Sequence, residues 1–123
     1  MKKKEYILIL KEKAISHNSA YPTNKQGRRF LIPEAKILKE MIGYKFIENY
    51  GKIRKNKRKK YKMSIGLSFA DNRQRDVGNY NKIIKDALEG ILYENDKQVI
   101  NLREYLIFSW LKQDLIFIKI KEI

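Results

Sequence analysis

Cysteine is absent from the 123 residues, which excludes disulfides, thiolate zinc sites and cysteine nucleophiles. Histidine occurs once, at His17, too sparsely for a histidine metal cluster. Any metal site must therefore be built from carboxylates, which suits Mg²⁺ or Mn²⁺. Acidic residues are themselves scarce: 14 Asp and Glu against 28 Lys and Arg leave a net charge of +14. An excess of that size speaks to partners and not to fold, and nucleic acid is the commonest polyanion such a chain meets. Long apolar runs are missing too, since nothing approaches the ~20 residues of a membrane span. Tyr6-Ile7-Leu8-Ile9-Leu10, after the basic Met1-Lys2-Lys3-Lys4, is too short for a secretory signal. The expectation is a soluble, cytoplasmic protein of one domain, residues 1–123, without a membrane partner or small-molecule cofactor. At 43% hydrophobic it can bury a small core, and dimerisation would bury more.

Residues 6–10 are apolar on both faces and predict a central strand. Residues 16–27 are dense in turn-formers and read as a loop, where His17 is more simply a solvated side chain than a catalytic one. Pro33 suits the first helical position and Glu34 the first turn, with Ile37, Leu38, Met41, Ile42 and Ile47 near helical spacing, so a helix is expected over 34–49. Residues 52–60 are the most basic segment: either a solvated, self-repelling loop or an arm for phosphates, the second favoured within so basic a chain. Period-two alternation of Tyr61, Met63, Ile65, Leu67 and Phe69 predicts a half-buried strand. A polar turn, 71–75, leads to an amphipathic helix carrying Tyr80, Ile83, Ile84, Ala87, Leu88, Ile91 and Leu92. A strand over 98–110, a turn over 111–114 and a last strand over 115–120 fit a terminal hairpin. The fold class is then α+β, a single domain in β-α-β-α-β-β order, with helices packed on one mixed sheet.

Asp76 follows one strand and Asp96 precedes the next. If those strands are neighbours, the two carboxylates meet at one edge of the sheet and can share a Mg²⁺. Such an ion polarises a phosphoryl oxygen and acidifies the attacking water, as metal-assisted phosphodiester hydrolysis requires. Lys82 could stabilise charge building in the transition state, and Arg73 and Arg75 could clamp flanking phosphates. Arg28, Arg29, Arg54, Lys55, Lys57, Arg58, Lys59 and Lys60 are further candidate DNA contacts. Loop aspartates beside strands are also common as caps and turn-formers, so spacing alone is a weak signal.

The order Asp76-Val77-Gly78-Asn79, Lys82, Asp86-Ala87-Leu88 and Asn95-Asp96-Lys97-Gln98-Val99 resembles the signature of the RusA family of Holliday-junction resolvases. The likeness spans about 25 residues, 75–99, and a polar loop with Asn18, Ser19 and Gly27-Arg28 is compatible with it. The resemblance implies a homodimer that binds four-way DNA junctions and nicks two strands symmetrically with Mg²⁺, Mn²⁺ being a possible substitute. It implies Asp76, Lys82 and Asp96 as catalytic residues, with Asp76 and Asp96 on the metal. Gly78 and Asn95 stand where the family has aspartates. Gly78 opens a second reading, a catalytically impaired junction-binding protein. Asp86 and Glu89 lie about 12 and 16 Å up the helix axis from Gly78, too far to replace its carboxylate there. Glu94, Asp71 or the neutral oxygen of Asn79 is nearer in sequence.

Overall fold

The apolar alternation of the sequence places β2, Tyr61–Ser68, whose Tyr61, Met63, Ile65 and Leu67 are buried in one row. The computed structural model describes residues 3–71, 73–107 and 112–123. Around β2 lie β1 (Glu5–Leu10), β3 (Val99–Leu106) and β4 (Leu115–Glu122), in the order β1-β4-β2-β3. β4 is antiparallel to both β1 and β2, whereas β2 and β3 are parallel. The sheet is mixed and the chain is a single small α+β domain, as the sequence predicts.

Two strand placements differ from expectation. The terminal hairpin gives way to another pairing among the described residues: β4 lies between β1 and β2, and β3 pairs there only with β2. The burial patterns explain this. β4 buries Ile116, Ile118 and Ile120 and suits the interior of the sheet, while β3 is largely exposed and suits an edge. β1 is the other edge, not a central strand, and buries Tyr6, Leu8 and Leu10 while Ile7 and Ile9 face outward. Tyr50 covers part of that edge; its hydroxyl accepts from the Ile7 amide at 2.7 Å and donates to the Ile7 carbonyl at 3.1 Å. Part of the expected strand 98–110 and of the turn 111–114 lies outside the described residues.

Helix α1, His17–Ala20, interrupts the expected loop, with Ser16 Oγ accepting from the Ser19 amide at 3.2 Å. Helix α2, Pro33–Tyr50, starts on its proline as expected and buries Ala35, Leu38, Ile42 and Phe46. Ile37 and Ile47, expected inward, are exposed because the inner row is i, i+4, i+8 from Leu38. At Gly43 α2 comes so close to the following segment that an added Cβ would meet Ile91 Cδ1 at 2.7 Å. Helix α3, Asn81–Leu88, buries Ile83, Ile84, Ala87 and Leu88 but stops short of the predicted end because Glu89 is extended. It supplies the crossover that a parallel β2–β3 pair requires. Leu92 and Tyr93 remain buried, the Tyr93 hydroxyl donating to the Lys85 carbonyl at 2.6 Å.

Candidate active site

The edge strand β3 fixes the start of α3. Glu104, on the helix-bearing side of the sheet, accepts from the Tyr80 amide at 2.9 Å and from Asn81 Nδ2 at 3.1 Å. Asn81 Nδ2 also donates to the Gly78 carbonyl at 2.9 Å. One carboxylate thus neutralises the amide end of the helix and ties down the loop before it. Lys82 follows immediately.

Lys82 Nζ lies 3.0 Å from Asp86 Oδ1, one helical turn on, and 3.6 Å from Asp96 Oδ2. Asp96 opens the 3-10 turn Asp96–Gln98, where the Asn95 side chain accepts from the Lys97 amide at 2.8 Å. Glu89 Oε1 accepts from the Asp96 amide at 3.1 Å, and the Tyr21 hydroxyl reaches Asp86 Oδ2 at 3.5 Å. Two acids therefore flank one ammonium, and a third, Glu89, holds the backbone of one of them. Its hydrogen bond to Asp86 leads the causes raising the Lys82 pKa, so the side chain stays charged. Burial, and then the charges of Asp96, Glu89 and Asp86, push the Tyr93 phenol up.

Asp76 is placed differently. Because β2 and β3 are parallel, the end of β2 and the start of β3 lie at opposite ends of the sheet. Strand adjacency alone therefore does not bring Asp76 to Asp96, contrary to expectation, and α3 spans the interval. Asp76 is exposed, without a hydrogen-bond or ion-pair partner among the described residues. It lines a cavity of about 400 Å³ with Lys13, Ser16, Ser19, Arg73 and Asn79. Among the described residues no three acidic or histidine side chains form a group that could hold a metal by themselves.

The other carboxylates offered as substitutes are engaged elsewhere. Asp71 takes the Arg75 fork at 2.6 and 2.7 Å, the Arg73 amide at 3.0 Å and Lys13 Nζ at 3.2 Å. The Arg75 bond and then the Arg73 amide hold its carboxyl well below the usual range. Arg75 also stacks 3.8 Å over the Phe69 ring. Its guanidinium is therefore committed to shaping the loop and is not open to phosphate, unlike the exposed Arg73. Glu94 lies 3.6 Å from Lys57.

Arg54, Lys55, Lys57, Arg58 and Lys60 are exposed, and the first four, with Lys4 and Lys59, line a cavity of about 690 Å³. Lys59 is half-buried and paired with Glu122 at 3.2 Å. Arg28 and Arg29 are exposed on a second loop, where Asn24 Oδ1 accepts from the Gln26 and Arg28 amides. His17 is half-buried in contact with Arg29 and is not simply solvated; its amide donates to the Asn79 carbonyl at 2.6 Å.

Sequence reasoning set Asp86 and Glu89 aside and gave Glu104 no role. The Lys82/Asp86 spacing of four was a legible pairing signal. Glu89 and Glu104 had none, because each acts across the fold. No described helix is long and apolar enough to cross a membrane. A family model described as endodeoxyribonuclease RusA matches residues 16–121. No curated protein matches the chain significantly.

Proposed function

The chain belongs to the RusA family of endodeoxyribonucleases, and from that premise we propose that it resolves four-way DNA junctions by paired, divalent-metal-dependent nicks. The observation that carries the reading is the convergence of Asp86 and Asp96 on Lys82, in a chain otherwise dominated by positive charge. The donor set is all hard oxygen, which fits Mg²⁺ or Mn²⁺. Magnesium commonly takes one or two carboxylates and completes its shell with water and substrate phosphate, so a cage of three acids is not required. Asp96, beside Lys82 and Asp86, and Asp76 are the proposed ligands; because strand adjacency does not join them, the loop before α3 must carry Asp76 toward Asp96 when metal and DNA bind.

When bound, the ion would polarise the scissile phosphate and acidify the attacking water. Lys82 is the cation proposed to meet developing negative charge: its ammonium is part-buried beside the proposed ligand Asp96 and is held in place by Asp86. Arg54, Lys55, Lys57, Arg58 and Lys60 hold the flanking phosphates, joined by Arg28, Arg29 and Arg73. Two symmetric nicks need two such sites, and a homodimer supplies them.

Gly78 supports a second reading, a junction-binding protein with an impaired site, because the loop lacks a carboxylate where the family pattern places one. The residue test is Asp96→Asn and Asp76→Asn, each assayed for junction binding and cutting. The nuclease reading expects cutting to fall by at least a hundredfold while binding holds or tightens, a negative charge facing phosphates having been removed. Unchanged cutting by Asp96→Asn would refute its assignment. Better competition by structured RNA than by a junction would point to a different nucleic acid.

A further inference from the structure

Gln98 ends the turn that carries Asp96, yet none of the chemistry above uses it. The residue is 4% exposed, so its side-chain polar atoms must find partners within the protein. They do so at both ends. Oε1 accepts from the Glu94 amide at 3.0 Å and from the Asn95 amide at 3.2 Å. Nε2 donates to the Asn56 and Lys59 carbonyls, both at 2.9 Å. The amide is fully satisfied, with one end on the acidic turn and the other on the basic segment either side of Lys57 and Arg58.

We propose that Gln98 is a positioning residue that sets the offset between the phosphate-holding segment 54–60 and Asp96, and so selects which phosphodiester is cut. The inference rests on the nuclease reading. Two further ties support a fixed arm. Lys59 pairs with Glu122, and the Ile123 amide donates to the Lys60 carbonyl, fastening the segment's end to β4. The Lys57–Glu94 pair crosses the same seam as Gln98, but on the surface, where it adds little. Successive nucleotides are about 3.4 Å apart along the duplex axis, so a shift of a few ångströms in the arm moves the presented phosphate by one position.

Two variants separate positioning from simple support. Gln98→Glu keeps an acceptor for the turn amides but turns oxygen against the Asn56 and Lys59 carbonyls, releasing the arm selectively. Gln98→Met fills the same volume without either pair of bonds and serves if the buried charge prevents folding. Three readouts are compared with the unaltered protein: the nick positions on an end-labelled four-way junction, the salt dependence of junction binding, and hydrogen exchange over residues 54–60. The proposal expects nicks spread over neighbouring nucleotides, a rate reduced roughly 10- to 100-fold, a log–log salt slope shallower by about one to three, and faster exchange in the arm. A folded variant with unchanged nick positions, salt slope and arm exchange overturns it. If the unaltered protein binds but never cuts, the nuclease reading fails on its own and the positioning claim fails with it, even where slope and exchange show that Gln98 anchors the arm. A protein that neither binds nor cuts overturns both.

Discussion

Gly78 sits at φ +110°, with no atom within 4 Å of where a Cβ would stand. A side chain there would meet no steric obstacle, so the cost of any substitution is carried by the backbone alone. Residues held in such sparsely populated regions cost about 1–3 kcal/mol. If the loop relaxes to relieve this, the 2.9 Å bond from Asn81 to the Gly78 carbonyl is at risk, adding about 1 kcal/mol. Gly78→Ala and Gly78→Asp share the backbone cost, and only the second adds a carboxylate. Both should lower the urea midpoint by roughly 1 M, for a slope of about 1–3 kcal/mol per molar. Mg²⁺ should then recover stability in Gly78→Asp more than in Gly78→Ala, by about 1.4 kcal/mol for every tenfold gain in metal affinity. Urea titrations with and without Mg²⁺ measure both effects. Wild-type midpoints in both variants would refute the strain argument, and equal Mg²⁺ responses would refute a metal-facing position for residue 78.

The Asp71–Arg75 pair and the basic segment each make further predictions. The Asp71 carboxyl is held below its ordinary value in the folded state, so its pairing stabilises fully above about pH 4 and is lost as pH falls below that. The stability gap between wild type and Asp71→Asn should therefore close only in strong acid; a gap closing between pH 7 and 5 would contradict the Arg75 fork as its cause. Arg54→Ala and Arg58→Ala should each reduce the log–log salt slope of junction binding by about 0.9, one phosphate contact apiece. Arg75→Ala should leave the slope unchanged while loosening the loop, because its guanidinium is spent on Asp71 and Phe69. A slope loss in Arg75→Ala would return it to the DNA-contacting set.

The elements were legible where the residue pattern alone determines them. Pro33 marked the start of α2, and the alternation from Tyr61 marked β2, because period and caps are local properties. Spatial order was not local. Nothing between β3 and β4 records that β4 inserts between β1 and β2, a choice made by how many faces and edges each strand can bury. The same distinction runs through the site. Lys82 and Asp96 were singled out from sequence as candidates, and the structure sets Asp86 beside Lys82 as well, a residue passed over because its distance had been measured from Gly78 along the helix. The acid that matters to it, Asp96, returns from beyond the helix end. Arg75 and Asp71 were both misjudged as free groups for the converse reason, since four residues of separation in a loop gave no sign of a fork.

Incubating the unaltered protein with an end-labelled four-way junction, in Mg²⁺, in Mn²⁺ and in EDTA, tests the central claim most directly. The account predicts paired nicks at symmetric positions near the crossover with either metal and none in EDTA. A junction that is bound and retarded but left uncut under both metals would contradict it and leave a binding protein built on a nuclease fold.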